Sequence, residues 1–324
     1  MGVSAPARIH GLDGLRGVAA MCVFLFHVHA NYPAFPNWWP KGYLAVDFFM
    51  MLSGYVMART YEARMQAGLD PLAFFRIRYR RMWLTMALAG LIGIPYLWHI
   101  APDPLRFTAS LAFNILLIPA PLNNELFPLN GPTWSIFFEL LANVVHAALF
   151  WRLSKRGLII VLAVLMGLLS VMIRINGSVD FGPLSAHWFP AIIRSLVPYI
   201  GGILLWRWWQ DRPALSIHPI IPFAAFPVLL AAPVAASGWA YDLLFVVLAC
   251  PLLIAGGLTL KGEAKWAAWL GAVSFPLYAV NVPVLHNAVL FGLNPVHATI
   301  ATLLVAITAT WWLSQRERRA KART

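Results

Sequence analysis

The sequence predicts an all-α, polytopic integral membrane protein, and three observations carry that reading. Of its 324 residues, 60% are hydrophobic and only 11% are charged, against about 45–50% and about 25% in ordinary soluble domains. Apolar runs long enough to cross a bilayer recur along the whole chain. The basic residues gather on alternate loops, as the positive-inside rule requires.

Ten spans are expected, at roughly 14–31, 42–59, 82–100, 132–151, 157–174, 189–207, 217–235, 239–258, 266–290 and 296–313. A shorter run, 107–119, lies between Asp103-Pro104 and Pro119/Pro121 and is read as a re-entrant or interfacial piece. With the N-terminus in the cytoplasm, all but four of the 24 Lys and Arg fall on the inner side. The exceptions are Lys41, Arg106, Arg174 and the intramembrane Arg194. Were 107–119 a full span, Arg152, Lys155 and Arg156 would face outward, so both termini are expected in the cytoplasm of a multi-pass inner-membrane protein.

The whole chain, 1–324, reads as a single membrane domain with spans from about 14 to 313 and a basic tail, 314–324, and no appended soluble domain is expected. The first apolar run carries Asp13 and Arg16 and is long enough to span, unlike a cleavable signal peptide. Cys22 and Cys250 fall inside apolar runs and read as buried hydrophobes rather than a disulfide. The net charge of +12 does not point to nucleic acid, because these residues set topology and meet anionic lipid. The loop 60–81 is denser than topology needs: Arg76, Arg78, Arg80 and Arg81 sit beside Phe74, Phe75 and Tyr79. Arginines so placed can grip phosphates bidentately.

The intramembrane polar residues carry the functional argument. Arg16 and His27 are eleven residues apart in the first span. At about 100° and about 1.5 Å per residue they share one helix face, about 16 Å apart along the axis. Asp47, in the second span, is expected at the depth of His27, where it could orient the imidazole. The fourth span opens with Gly131-Pro132-Thr133-Trp134-Ser135 and carries Glu139, for which Arg194 is one candidate partner. Tyr278 and Asn281 are expected near the outer end of the ninth span. His27 and His29 point about 160° apart on a regular helix, so no metal site is expected there.

In their order along the chain these motifs resemble the acyltransferase-3 family of integral membrane acyltransferases, which includes bacterial O-antigen and exopolysaccharide O-acetylases. The resemblance runs from about Gly11 to Ser314. Leu12-Asp13-Gly14-Leu15-Arg16-Gly17 with His27 looks like the family's Arg–ten–His signature, and Val46-Asp47-Phe48-Phe49 through Leu52-Ser53-Gly54-Tyr55 looks like its second-helix motif. Phe75, Arg78 and Arg81 match its arginine motif, Trp134-Ser135 with Glu139 its Trp-Ser…Glu motif, and Ser274, Tyr278 and Pro283 its late Ser-Tyr stretch. Two positions depart: Asn281 stands where the family has a histidine, and Met82-Trp83-Leu84 replaces an Ile-x-Pro.

The resemblance implies a donor, acyl-CoA (acetyl-CoA first among these), used as substrate rather than as a bound cofactor, and a carbohydrate acceptor such as a cell-surface polysaccharide. Arg16, with Arg76, Arg78 and Arg81, would hold the nucleotide end of CoA. His27, oriented by Asp47, would act as general base or carry the acyl group transiently. Trp134, Ser135, Glu139, Arg194, Tyr278 and Asn281 would line the acceptor site, and polysaccharide-assembly proteins are the expected partners. A secondary transporter with a midplane polar site and a non-catalytic membrane scaffold are the competing classes. The absence of an internal repeat counts against the first, and the buried Arg–His–Asp–Glu set against the second.

Overall fold

Three helix starts share one local signal, a side-chain oxygen capping a free backbone N–H. Asp70-Pro71 opens a helix with the Asp70 carboxylate accepting from Ala73 N at 2.9 Å, and Asp103-Pro104 does the same toward Arg106 N at 2.8 Å. Ser154 caps another through Gly157 N at 3.1 Å, and that helix stops at Gly177, whose φ of +81° is left-handed. The computed structural model describes residues 7–321 except 102, 121–123 and 261. Lys261 and Arg323, counted above among the basic residues, lie outside the described residues.

The helices are α1 (His10–Asn31), α2 (Ala45–Gln66), α3 (Pro71–Ile92), α4 (Ile94–Ile100), α5 (Pro104–Ile115), α6 (Thr133–Ala148) and α7 (Lys155–Asn176). They continue with α8 (Trp188–Trp209), α9 (Ile220–Leu230), α10 (Val234–Leu244), α11 (Cys250–Leu258), α12 (Lys265–Leu290) and α13 (Pro295–Lys321). A π-helical turn, Phe245–Ala249, joins α10 to α11. No strand occurs among the described residues, only an isolated bridge between Glu125 and Leu184.

Six segments are each long and apolar enough to cross a membrane: α1, α7, Ser185–Trp209, Gly238–Leu258, α12 and Pro295–Arg319. The pair α3 and α4, bent by 55° at Gly93, makes a seventh. Length and apolarity alone thus support six or seven of the ten expected spans. Of the rest, α2 carries Asp47, Arg59, Glu62 and Arg64, α6 has 16 residues and α9 has 11.

Two helix pairs hold the bundle together. α1 and α12 run parallel, with Asp13 against Gly271 at one end and His27 against Asn281 further on. α2 and α8 also run parallel, and their backbones nearly touch: a Cβ at Gly54 would meet Tyr199 O at 2.0 Å, and one at Gly202 would meet Met51 O at 1.9 Å. Small residues at such crossings permit the close packing that replaces the hydrophobic effect within lipid. Gly54→Ala is expected to destabilise the folded chain by about 1–3 kcal/mol, as overpacking does. Thermal unfolding in detergent against wild type measures it; an unchanged midpoint would refute the close approach.

Two elements differ from expectation in ways that move the site. The arginine cluster, expected in a loop, lies on the first three turns of α3, because the Asp70-Pro71 start precedes it. The expected re-entrant piece is α5, 12 residues long, which folds back on α3. Trp83 Nε1 donates to Ile115 O at 2.9 Å and Tyr79 Oη to Leu116 O at 3.0 Å. The chain then pairs with the loop before α8 (Leu126 N to Pro183 O and Ser185 N to Asn124 O, both 2.7 Å) and returns inward to start α6. Asn130 Nδ2 donates to Ala279 O at 3.0 Å, so α6 begins beside the middle of α12 rather than at the membrane surface. Non-helical backbone at this depth is tolerated where it is enclosed by protein and its polar groups are bonded.

Candidate active site

Polar side chains gather at three levels of the bundle. The first is cationic and lies toward the end where α1 and α3 begin. Arg78 is buried and donates from Nη2 to Glu139 Oε1 at 2.9 Å, and Ser53 Oγ donates to the same oxygen at 2.6 Å. Arg16, half-buried on α1, makes no hydrogen bond or ion pair to a described residue. Arg16, Arg78 and Arg81 lie close enough to repel one another, with Glu139 attracting each of them and Asp13 drawing on Arg16 one turn earlier. Three guanidinium groups thus share one nearby carboxylate from across the core. Arg76 and Arg80, on the same helix, are exposed and make no pair among the described residues.

The second level is His27. Its Nδ1 lies 2.7 Å from Asn281 Oδ1. The Asn281 amide is fixed by the preceding turn of α12: Nδ2 donates to Leu277 O at 3.0 Å and Tyr278 O at 2.7 Å. The amide oxygen therefore faces His27, and an oxygen only accepts, so Nδ1 must carry the imidazole proton. Neutral His27 then holds its lone pair on Nε2, which makes no hydrogen bond to a described residue. One turn back along α12, Tyr278 Oη lies 2.6 Å from Ser135 Oγ at the start of α6. Asp180, its side chain half exposed in the loop before α8, is within electrostatic reach of the imidazole.

The third level corrects two expected pairings. Asp47 does not reach His27. It is fully buried against α8, accepting from Arg194 Nη2 at 2.9 Å and Nε at 3.3 Å. Arg194 does not reach Glu139 either; its remaining donors go to Tyr43 O at 2.9 Å and Phe181 O at 2.5 Å. α2 turns Asp47 toward parallel α8, and Asn281 takes the place beside the imidazole that Asp47 was expected to fill. Trp134 is likewise occupied, under the Arg194 guanidinium at 5.4 Å and with Gly182 packed on its ring.

A buried ion pair beside this level went unread in the sequence. Lys41, 1% exposed, donates to Asp242 Oδ1 at 2.7 Å, and Tyr43 Oη donates to Oδ2 at 2.9 Å. Asp242 was the available signal, a carboxylate inside an apolar run that needs a buried cation. Among the described residues, no three or more His, Cys, Asp or Glu side chains gather as metal ligands.

A family model described as an acyltransferase domain matches residues 9–315, which include all three levels. The chain belongs to the acyltransferase-3 family. This family member is 36% identical over 183 residues to Protein 2 in the picA locus of Rhizobium radiobacter, covering 51% of this chain and 94% of that protein. It is 34% identical over 94 residues to the putative membrane-bound transacylase BcsY of Komagataeibacter xylinus, covering 29% of this chain and 22% of BcsY. It is also 31% identical over 80 residues to the O-acetyltransferase OatA of Staphylococcus aureus, covering 24% and 12%. The acyltransferase-3 chain thus matches about a fifth of BcsY and about an eighth of OatA. No solved structure matches it.

Proposed function

We propose that this membrane acyltransferase moves an acyl group, acetyl first among the candidates, from acyl-CoA to a hydroxyl of a carbohydrate acceptor. The observation that carries the reading is the alignment on α1 of an Arg16 unpaired among the described residues, beside Arg78 and Arg81, with a His27 whose Nε2 bonds none of them. The arginines receive the phosphates of CoA. The acyl thioester reaches along α1 toward the imidazole, about 16 Å further on by helix rise. His27 Nε2 takes the proton of the acceptor hydroxyl as its oxygen attacks the thioester carbonyl. The new C–O ester bond forms, the C–S bond breaks, and the departing thiolate takes the proton from His27. Tyr278 and Ser135, whose hydroxyls bond each other and Pro132 O one turn along α12 from Asn281, would line the path of the acyl group rather than donate to it.

In this reading the arginine end of the bundle faces the cytoplasm of a bacterial inner membrane, with both termini inside and ten helical crossings that include α2 and the shorter α6 and α9. The carbohydrate is supplied at the opposite face, where polysaccharide-assembly proteins would present it. Cysteines placed at Asn37 and Asn124 are expected to react with an impermeant thiol reagent added outside, and one at Gly157 is not. Labelling at Gly157 would invert the topology.

Purified protein should consume acyl-CoA thioester only when a glycan acceptor is present, which neither a transporter nor a scaffold predicts. Arg81 is the cleaner test of the donor site, because Arg81 is exposed whereas Arg78 is tied to Glu139. Arg81→Gln is expected to weaken acyl-CoA binding by about 1.5–3 kcal/mol, the worth of a charged hydrogen bond. Lys restores part of that, since it lacks the bidentate fork. Calorimetry in detergent measures both, and unchanged affinity would move the donor site elsewhere.

A further inference from the structure

A polar cavity opens at the arginine end of the bundle, on the side of α2 away from the donor arginines. It encloses about 480 Å³ and is lined by Arg59, Glu62, Lys155 and Arg207, with Trp151 and Trp206 among its walls. α2 separates it from the donor arginines: Arg59 and Glu62 turn toward α8, whereas the ring of Tyr61 packs on Phe74 of α3 at 4.8 Å.

The charges lining this cavity do not cancel. Arg59 is matched by Asp211 at 2.7 Å, and Arg207 by Glu62 at 2.6 Å. Arg207 also pins the linker between α6 and α7 by donating to Leu153 O at 2.6 Å and Phe150 O at 3.1 Å. Lys155 remains, exposed and with no acceptor among the described residues. The cavity therefore presents one unmatched cation beside two ion pairs and two indoles. It also leads onto lipid: Ile159, one turn beyond Lys155 on the same side of α7, is 43% exposed, and Ile160 is 65% exposed.

We propose that this cavity seats the phosphate headgroup of an anionic phospholipid, whose acyl chains lie along the exposed apolar flank of α7. Basic pockets between membrane helices bind anionic headgroups in this manner, and tryptophans favour the headgroup level of the bilayer. Such a lipid bridges α2, α7 and α8 where α7 turns most of its apolar surface outward, with 17% of that stretch buried within the protein.

The test mixes the full chain in detergent with phosphatidylglycerol or with phosphatidylcholine and reads lipid retention by native mass spectrometry. Phosphatidylglycerol should be retained over phosphatidylcholine. Lys155→Gln should weaken that retention about five-fold, the contribution of one basic residue near an anionic lipid. Ala63→Trp, which fills the cavity from an exposed position, should abolish it. Neither variant should change acyl-CoA affinity, because the donor arginines lie across α2. Equal retention of the two lipids, or retention indifferent to both substitutions, overturns the assignment. So does displacement of phosphatidylglycerol by inorganic phosphate, which would make this a site for a free anion.

Discussion

His27→Gln is expected to lower acyl transfer by about 10²–10⁴-fold, the usual contribution of a positioned general base. Acyl-CoA affinity should stay near that of wild type, because the donor arginines lie toward the far end of α1. Glutamine keeps much of the shape and can still hydrogen-bond Asn281, so the folded fraction should hold. What it loses is the basic lone pair on Nε2. Asn281 sharpens the test. Its amide oxygen can only accept from Nδ1, which fixes the imidazole tautomer. Asn281→Leu removes that control, so it should slow turnover with little change in acyl-CoA affinity, whereas Asn281→Asp, which still accepts from Nδ1, should keep more activity than Leu. Turnover on a glycan acceptor and calorimetric donor binding, measured for the three variants, decide the matter. Wild-type turnover in His27→Gln would remove the imidazole from the reaction.

Periodicity served well for residues on a single helix and poorly for contacts between helices. Arg16 and His27 could be placed on one face of α1 because eleven residues nearly complete three turns. That Asn281 would meet His27 required knowing that α1 and α12 run side by side in register, which no local pattern encodes. The pairing of Asp47 with Arg194 was hidden for the same reason: depth can be counted along a span, but the facing neighbour cannot. Hydropathy also misled where charge interrupts a helix. The run 60–81 read as a loop because its arginines broke the apolar pattern, whereas Asp70-Pro71 was a legible start signal that deserved more weight. α6 begins at mid-depth because of tertiary contacts by Asn130 and Ser135, and neither has a sequence signature. Family membership was readable early, since it rests on ordered motifs rather than on contacts.

Asp47→Ala is expected to destabilise the protein by about 3–5 kcal/mol, the cost of leaving one member of a buried ion pair without its partner. Asp47 is fully buried and Arg194 is 1% exposed, and the one carboxylate then left near Arg194 among the described residues, Asp180 at 3.7 Å, is half exposed and makes no hydrogen bond to it. Arg194 also holds the Tyr43 and Phe181 carbonyls, and through them the starts of α2 and α8. Removing Asp47 should therefore loosen this end of the bundle without altering the His27–Asn281 contact. Turnover per folded molecule should stay near wild type while the folded fraction falls. The double variant Asp47→Leu with Arg194→Met should cost less than the single one, because apolar replacement of both partners leaves no bare charge. Thermal unfolding and size-exclusion chromatography report the folded fraction, and acyl transfer normalised to it reports the chemistry. If Asp47→Ala keeps wild-type stability but loses turnover, Asp47 acts on His27 after all, and the Arg194 pairing is not its role.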